Sequence, residues 1–190
     1  MYTVYGTEPM IAKAIKNSGV PRSEIFITTK LWNNSHKPED VEPALDQSLK
    51  NLNTDHVDLY LMHWPSAFKP GPELMPKVDG KMQTADISYV ETYKAMEKLL
   101  KTGKTKAIGI SNFSKAELEN LLKNTSVVPA AHQLELHPWL QQKDFVEFNR
   151  SKGIHITQYS PFGNQNEIYD SGKNMGKLMV GLLLDFINPS

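Results

Sequence analysis

The sequence predicts an α/β fold in which parallel strands alternate with helices. Short segments rich in β-branched and aromatic residues recur along the chain, and segments with helical spacing of apolar residues separate them. Strict alternation of this kind requires parallel strands joined by crossover helices. An open doubly wound sheet and a (β/α)8 barrel both satisfy the pattern. Because no G-x-G-x-x-G motif follows a strand, a dinucleotide-binding open sheet has no support.

In the first third of the chain we expect a helix over residues 9–17, since Pro9 favours the first turn of a helix. Strands are predicted over residues 25–30 and 57–63, which are short and rich in apolar and β-branched side chains. The helix between these strands is predicted by four apolar residues that fall close to one face: Val41, Leu45, Leu49 and Leu52.

Residues 65–86 form the longest irregular stretch and contain four prolines and two glycines. The stretch follows the end of a predicted strand, which is where barrels place the loops that bind substrate. We therefore expect a substrate loop here. A disordered insertion is the alternative that the composition leaves open.

The remaining elements continue the alternation. Strands are predicted over residues 106–111, 131–137 and 154–159. Three helices are predicted between and before these strands. The first is predicted by the apolar spacing of Tyr89, Tyr93, Met96 and Leu100, and the second by a capping box formed by Ser114 and Glu117. The third is predicted by an apolar stripe that starts near Gln141 and includes Phe145 and Phe148.

Composition limits the function classes. The chain has 190 residues, 21 basic against 21 acidic side chains, and no cysteine. Zero net charge argues against binding of nucleic acid or of anionic membranes, and the lack of cysteine excludes disulfides and thiolate metal sites. No apolar run approaches the ~18 residues of a membrane span, and the N-terminus lacks the features of a secretory signal. We expect a cytoplasmic protein.

Polar residues follow or end the predicted strands one after another. Each alone is an ordinary surface, packing or turn residue. Because the carboxyl ends of parallel barrel strands converge on one rim, their recurrence at this position predicts a site there. The residues at or directly after strand ends are Lys30, His63, Ser111, Asn112, Tyr159 and Ser160, whereas Gln133 and Glu135 lie within the strand over residues 131–137.

Lysine, histidine and tyrosine together suit the reduction of a carbonyl group. A neighbouring ammonium lowers the pKa of a tyrosine, which then gives a proton more readily to an oxygen that gains negative charge. A histidine orients the carbonyl oxygen, and the hydride must come from a cofactor. We expect no metal site, because His132 and His137 lie five residues apart and face opposite sides of a strand.

Seven segments resemble the aldo-keto reductase superfamily, in the branch of aldose and aldehyde reductases and fungal glycerol dehydrogenases. The Lys-Leu-Trp, Met-His-Trp-Pro and Gly-Ile-Ser-Asn-Phe blocks are the most specific. The segments are residues 4–8, 27–32, 45–52, 57–65, 107–113, 132–138 and 157–161. The resemblance implies a (β/α)8 barrel that reduces aldehydes and ketones, which are small-molecule carbonyl substrates, with NADPH.

The resemblance also implies roles for individual residues. Tyr5 matches the proton donor, Lys30 the residue that lowers its pKa, and His63 the residue that orients the substrate. Trp32 and Trp64 match walls of the substrate pocket. The residues that match cofactor contacts are Ser111, Asn112 and Gln133 for the nicotinamide carboxamide, Tyr159 for stacking on the ring, and Ser160 with the turn through Gly163 for the pyrophosphate.

The chain departs from the family pattern at both ends. The family has an aspartate five residues before the tyrosine, and no residue of this chain corresponds to it. We expect an incomplete barrel over residues 1–179, with about five full βα units, an N-terminal stub and no first or last strand, followed by a divergent tail over 180–190. NADPH binding is expected to be weakened. The alternative function is a catalytically dead truncation or splice product, inert or acting only through protein contacts.

Overall fold

A computed structural model of the protein describes residues 6–163. The helices in this part of the chain are α1 (Glu8–Ser18), α2 (Pro38–Leu52), α3 (Tyr89–Leu99), α4 (Lys115–Asn124) and α5 (Lys143–Ser151), with short 3₁₀ turns at Arg22–Glu24 and Asn33–Ser35. The strands are β1 (Thr28–Leu31), β2 (Val57–Met62), β3 (Lys77–Val78), β4 (Lys81–Met82), β5 (Thr105–Ser111), β6 (Ala131–Glu135) and β7 (His155–Tyr159).

Five strands form one parallel sheet in the order β1-β2-β5-β6-β7. Along the chain, an α-helix follows each of β1, β2, β5 and β6. The short β3–β4 pair forms a separate sheet and lies between β2 and α3. A parallel sheet whose neighbours follow one another in the chain, with a helix at each crossover, is the arrangement of a (β/α)8 barrel segment. The predicted α/β fold, an incomplete barrel of this type, is confirmed.

The central strand β2 shows how the sheet is stabilised. All six of its residues are buried. Tyr60 and Met62 belong to the large apolar cluster between the sheet and the helices, whereas Leu59 and Leu61 join Ala131 in a smaller cluster. Because successive side chains of a strand point to opposite faces, both faces of β2 are covered, as in barrel strands.

The helices cover the sheet with the apolar faces that the sequence predicts. Val41, Leu45 and Leu49 of α2 are buried in the large cluster. The predicted capping box of α4 is present, since Ser114 accepts a hydrogen bond from the Glu117 amide and the Glu117 carboxylate accepts one from the Ser114 amide. Such reciprocal capping satisfies two amides at a helix start.

Residues 65–86 contain the antiparallel β3–β4 hairpin and fold back onto the end of β1. The Phe68 amide donates a hydrogen bond to the Asn33 carbonyl at 2.9 Å, and Phe68 pairs with Thr84 in an isolated bridge. The structure therefore favours a packed loop over the disordered insertion.

Element bounds differ slightly from the predicted ones. β1 begins at Thr28 rather than at residue 25, β6 ends at Glu135, and α5 begins at Lys143. The predicted N-terminal stub and the tail over residues 180–190 lie outside the described residues, as does the boundary at residue 179.

Candidate active site

A cavity of about 360 Å³ lies between α1 and β1. Lys30 and Trp32 border it from the end of β1, and His63 borders it from the position directly after β2. The remaining lining is mostly apolar and comes from Thr7 and α1, from residues 25–29 and from Leu52 of α2. Two of the polar residues predicted at strand ends, Lys30 and His63, are thus brought to one cavity.

Burial and charge set the protonation of these two groups. Burial lowers the pKa of Lys30 below its usual value. Burial and the positive charge of Lys30 lower the pKa of His63 to about 4. An imidazole with this pKa is neutral near pH 7, so one ring nitrogen carries a proton that can be donated to a ligand oxygen.

Trp32 is held in place by three contacts. Its Nε1–H donates a hydrogen bond to the Leu74 carbonyl at 2.7 Å. Its ring meets His63 edge to face, with centroids 4.9 Å apart, and meets Phe68 in the same way at 5.8 Å. The loop over residues 65–86 therefore fixes an aromatic wall beside the imidazole, at the place where the sequence predicts a substrate wall.

Asn112 forms the centre of a second group of polar residues. Its backbone has a φ of 62°, a left-handed conformation that asparagine tolerates better than most residues. Its Nδ2 donates to the His63 carbonyl at 3.0 Å and to Ser111 Oγ at 3.1 Å, and its Oδ1 accepts from the Tyr159 hydroxyl at 2.8 Å. The exits of β2, β5 and β7 are thereby joined at one residue.

Gln133 completes this group through its backbone. Its carbonyl accepts hydrogen bonds from Ser111 Oγ at 2.9 Å and from the Asn112 amide at 3.0 Å. Its half-buried side-chain amide forms no hydrogen bond with any residue between 6 and 163. A planar amide in this position has both a donor and an acceptor to offer a ligand.

A second, more open cavity of about 500 Å³ is bordered by Asn112, Tyr159 and Trp64. Trp64 lies here rather than in the Lys30 cavity, and 42% of its surface is exposed. Ser160 follows Tyr159 with a φ of 50°, and its carbonyl accepts a hydrogen bond from the Gly163 amide at 2.9 Å, which closes the turn that the sequence predicts.

Tyr5 lies outside the described residues, so its predicted position beside Lys30 and His63 stays a prediction. Two buried residues were missed: Glu8, which borders the first cavity, and Asn34 in the 3₁₀ turn after β1. Glu8 accepts hydrogen bonds from Thr29 Oγ1 at 2.8 Å and from Asn51 Nδ2 at 2.9 Å. Asn34 donates to carbonyls of the loop over 65–86. The sequence signal for Glu8 was its place at the end of the segment over residues 4–8 that resembles the family, directly before the predicted helix.

Within residues 6–163, no group of three or more histidine, aspartate or glutamate side chains could hold a metal ion. In the same part of the chain, no helix is both long and apolar enough to cross a bilayer.

Comparison with known proteins points to the same family as the sequence motifs. A sequence profile described as "Aldo/keto reductase family" matches residues 1–174. An uncharacterized oxidoreductase of Schizosaccharomyces pombe is 53% identical over 169 residues, which are 88% of this chain and 53% of that protein. D/L-glyceraldehyde reductase of Hypocrea jecorina is 46% identical over 172 residues, 86% of this chain and 52% of the relative.

Among solved structures, the aldose reductase of Schistosoma japonicum superimposes with a TM-score of 0.82 at 39% identity. The match covers 85% of this chain and 56% of that one. The chain thus spans about half the length of the curated relatives that it matches.

Proposed function

Because the chain belongs to the aldo/keto reductase family, we propose that it reduces aldehydes or ketones to alcohols with NADPH. The observation that carries the proposal is the joining of two groups of residues. Lys30 and His63 border one cavity, and Asn112 connects the His63 backbone to Ser111 and Tyr159. Two relatives are named as reductases of glyceraldehyde and of aldose, which are carbonyl compounds.

In the proposed reaction the Tyr5 hydroxyl gives its proton to the carbonyl oxygen. A phenol with its ordinary pKa near 10 is a weak acid at neutral pH, so it needs a nearby positive charge. Lys30 is the proposed source of that charge. Burial leaves the Lys30 ammonium poorly solvated, which lowers its pKa; the same low-dielectric surroundings strengthen the effect of the ammonium charge on neighbouring groups.

His63 is proposed to orient the substrate. Since the pKa of His63 is lowered to about 4, the ring is neutral at physiological pH and keeps one N–H. That N–H donates a hydrogen bond to the carbonyl oxygen and stabilises the negative charge that grows there before the proton arrives from Tyr5. The edge-to-face contact with Trp32 holds the ring in one orientation.

The donor set around Asn112 fits a nicotinamide carboxamide. Such a group has one oxygen acceptor and two N–H donors. The Gln133 side-chain amide can donate to that oxygen, and Asn112 Oδ1 and Ser111 Oγ, which each accept one hydrogen bond already, have a second lone pair that can accept from the carboxamide N–H groups. The Gln133 side chain has no partner among residues 6–163, as expected of a group that binds a ligand. When bound, the reduced nicotinamide supplies the hydride. Tyr159 would lie against its ring, and Ser160 would contact the pyrophosphate.

The substrate pocket is proposed to have aromatic walls. Trp32 borders the cavity that holds Lys30 and His63, and Trp64 borders the neighbouring cavity beside Asn112. A small-molecule carbonyl compound bound between these walls would be partly shielded from water, which strengthens the hydrogen bond from His63.

A titration of NADPH into this chain tests the proposal. Quenching of tryptophan fluorescence reports binding, because Trp32 and Trp64 border the two cavities. We expect saturable binding with a Kd on the order of micromolar and consumption of NADPH when a simple aldehyde is added. Folded protein that neither binds NADPH nor consumes it would overturn the proposal and favour a non-catalytic chain.

A further inference from the structure

His132 of β6 is a completely buried histidine directly behind the Asn112 turn. Its ring meets Phe113 edge to face at 6.2 Å and Phe145 at 5.6 Å. The reduction proposed above gives it no role. A buried polar ring between two aromatic residues needs partners for both of its nitrogens, and those partners show what it does.

Two hydrogen bonds determine where the proton of the His132 ring lies. The Phe113 amide donates to Nε2 at 3.1 Å, so Nε2 must be unprotonated. On the other side, Nδ1 lies 2.9 Å from Oδ1 of Asn149. The Asn149 amide is oriented by its own Nδ2, which donates to the Phe145 carbonyl at 2.8 Å. Oδ1 is therefore an acceptor, and Nδ1 carries the proton.

The environment keeps this ring neutral. Burial lowers the pKa of His132 to about 4, although the hydrogen bond to Asn149 acts in the opposite direction. Above that pH, Nε2 remains free to accept the Phe113 amide proton. Protonation of Nε2 would replace the acceptor with a donor and break this contact.

The contact matters because Phe113 directly follows Asn112. The left-handed backbone of Asn112 aims its side chain at the His63 carbonyl, Ser111 and the Tyr159 hydroxyl. The Phe113 amide is buried, and a buried amide without an acceptor is costly. His132 supplies that acceptor and so favours this backbone path over a relaxed one.

We infer that His132, in its neutral Nδ1–H form, is a positioning residue that holds the turn from Ser111 to Phe113 in the shape that binds the nicotinamide carboxamide. The identity of the ligand in this inference rests on the proposed function. The support of the turn by His132 rests only on contacts between residues that the structure describes.

Two substitutions separate hydrogen bonding from packing. His132→Gln places an amide oxygen near the position of Nε2 and keeps an acceptor for the Phe113 amide, whereas His132→Leu fills the space without one. We expect His132→Leu to raise the Kd for NADPH by about tenfold and His132→Gln by less than about threefold, since a lost hydrogen bond to a buried amide has this scale. His155→Leu is the control, because His155 is exposed at the start of β7.

Equal affinity of His132→Leu and the unchanged chain would overturn the inference, and so would equal weakening in the leucine and glutamine variants. Circular dichroism confirms that each variant is folded before its affinity is compared.

Nitrogen NMR of the chain without cofactor gives a second readout. We expect a protonated Nδ1 and an unprotonated Nε2 near pH 7, together with slow hydrogen exchange at the Phe113 amide that becomes faster in His132→Leu. A proton on Nε2 instead of Nδ1, or hydrogen exchange at the Phe113 amide that is equally slow in His132→Leu, would contradict the conclusion that His132 supports the turn. Failure of the unchanged chain to bind NADPH would instead overturn the proposed function, while the exchange measurement would still decide the role of His132.

Discussion

The Tyr159 hydroxyl donates a hydrogen bond of 2.8 Å to Oδ1 of Asn112. Asn112 follows β5 and Tyr159 is the last residue of β7, and these strands are not neighbours, because β6 lies between them. The bond therefore couples the turn that ends β5 to the far side of the described sheet. If this turn binds the nicotinamide carboxamide, Tyr159 contributes through its hydroxyl as well as through its ring.

Removal of that hydroxyl alone should weaken cofactor binding. Tyr159→Phe keeps the aromatic ring and loses one hydrogen bond, so we expect the Kd for NADPH to rise about three- to tenfold. Fluorescence titration measures it. Tyr93→Phe is the matched control, because the buried Tyr93 hydroxyl has no hydrogen-bond partner among residues 6–163. Equal affinities for the two variants would contradict the role assigned to Tyr159.

Removal of the Lys30 charge should raise the pKa of His63. Burial and the charge of Lys30 together lower the pKa of His63 to about 4, so Lys30→Met removes one of the two causes. We expect the pKa to rise in the variant and to remain below 6.5, because the ring stays buried. An NMR titration of the His63 ring protons measures it. Lys115→Met, an exposed lysine of α4, should leave the pKa unchanged. If Lys30→Met left the pKa of His63 unchanged, the Lys30 ammonium would lie too far from the His63 imidazole to affect it.

Asp58 should make the stability of the fold sensitive to acid. Its carboxylate accepts hydrogen bonds from Arg22, Lys106 and the Ile27 amide. Although burial opposes ionisation, these donors lower the pKa of Asp58 from 3.8 to about 2. A pKa that is lower in the folded than in the unfolded state stabilises the fold above the unfolded value, and this stabilisation is lost as the pH falls from about 4 to about 2.

Asp58→Asn should therefore lower the free energy of unfolding by about 2 kcal/mol near neutral pH, and the difference should shrink as the pH approaches 2. Urea unfolding at several pH values measures both quantities. Glu119→Gln is the control, because its pair with Lys115 is exposed and 4.0 Å long. A difference between Asp58→Asn and the unchanged chain that stays constant down to pH 2 would rule out this linkage.

Any side chain at position 109 should destabilise the fold. A Cβ at this position would overlap the Ala131 carbonyl oxygen and Leu61 Cδ2, since β5 lies close to both neighbours there. Because the overlap involves backbone, we expect Gly109→Ala to lower the free energy of unfolding by about 3 kcal/mol. Gly153→Ala, with open space but a φ of 76°, should lower it by about 1 kcal/mol. Urea unfolding of both variants checks this order, and the reverse order would show that the close approach of β5 and β6 is relaxed in solution.

The sequence was sufficient for the features that depend on local patterns. The five strands of the parallel sheet, the apolar face of α2 and the capping box at Ser114 all follow from spacing within a few residues. The placement of Lys30 and His63 at neighbouring strand ends also follows, because the ends of parallel strands meet at one rim.

The sequence did not predict contacts between residues far apart in the chain. Asn34 donates a hydrogen bond to the carbonyl of Gly71, 37 residues away, and the Phe113 amide donates to His132, 19 residues away. The β3–β4 hairpin was missed because its strands have two residues each, too few to show an alternating pattern. Partners of this kind depend on the register of the sheet and on the path of its loops, which local spacing does not encode.

The most direct test of the account is the rate of NADPH consumption by Tyr5→Phe with a simple aldehyde, compared with Tyr93→Phe. The account predicts a fall in kcat of about 10²- to 10⁴-fold for Tyr5→Phe, with the Kd for NADPH unchanged, because only the proton donor is lost. Turnover by Tyr5→Phe equal to that of the unchanged chain would contradict it.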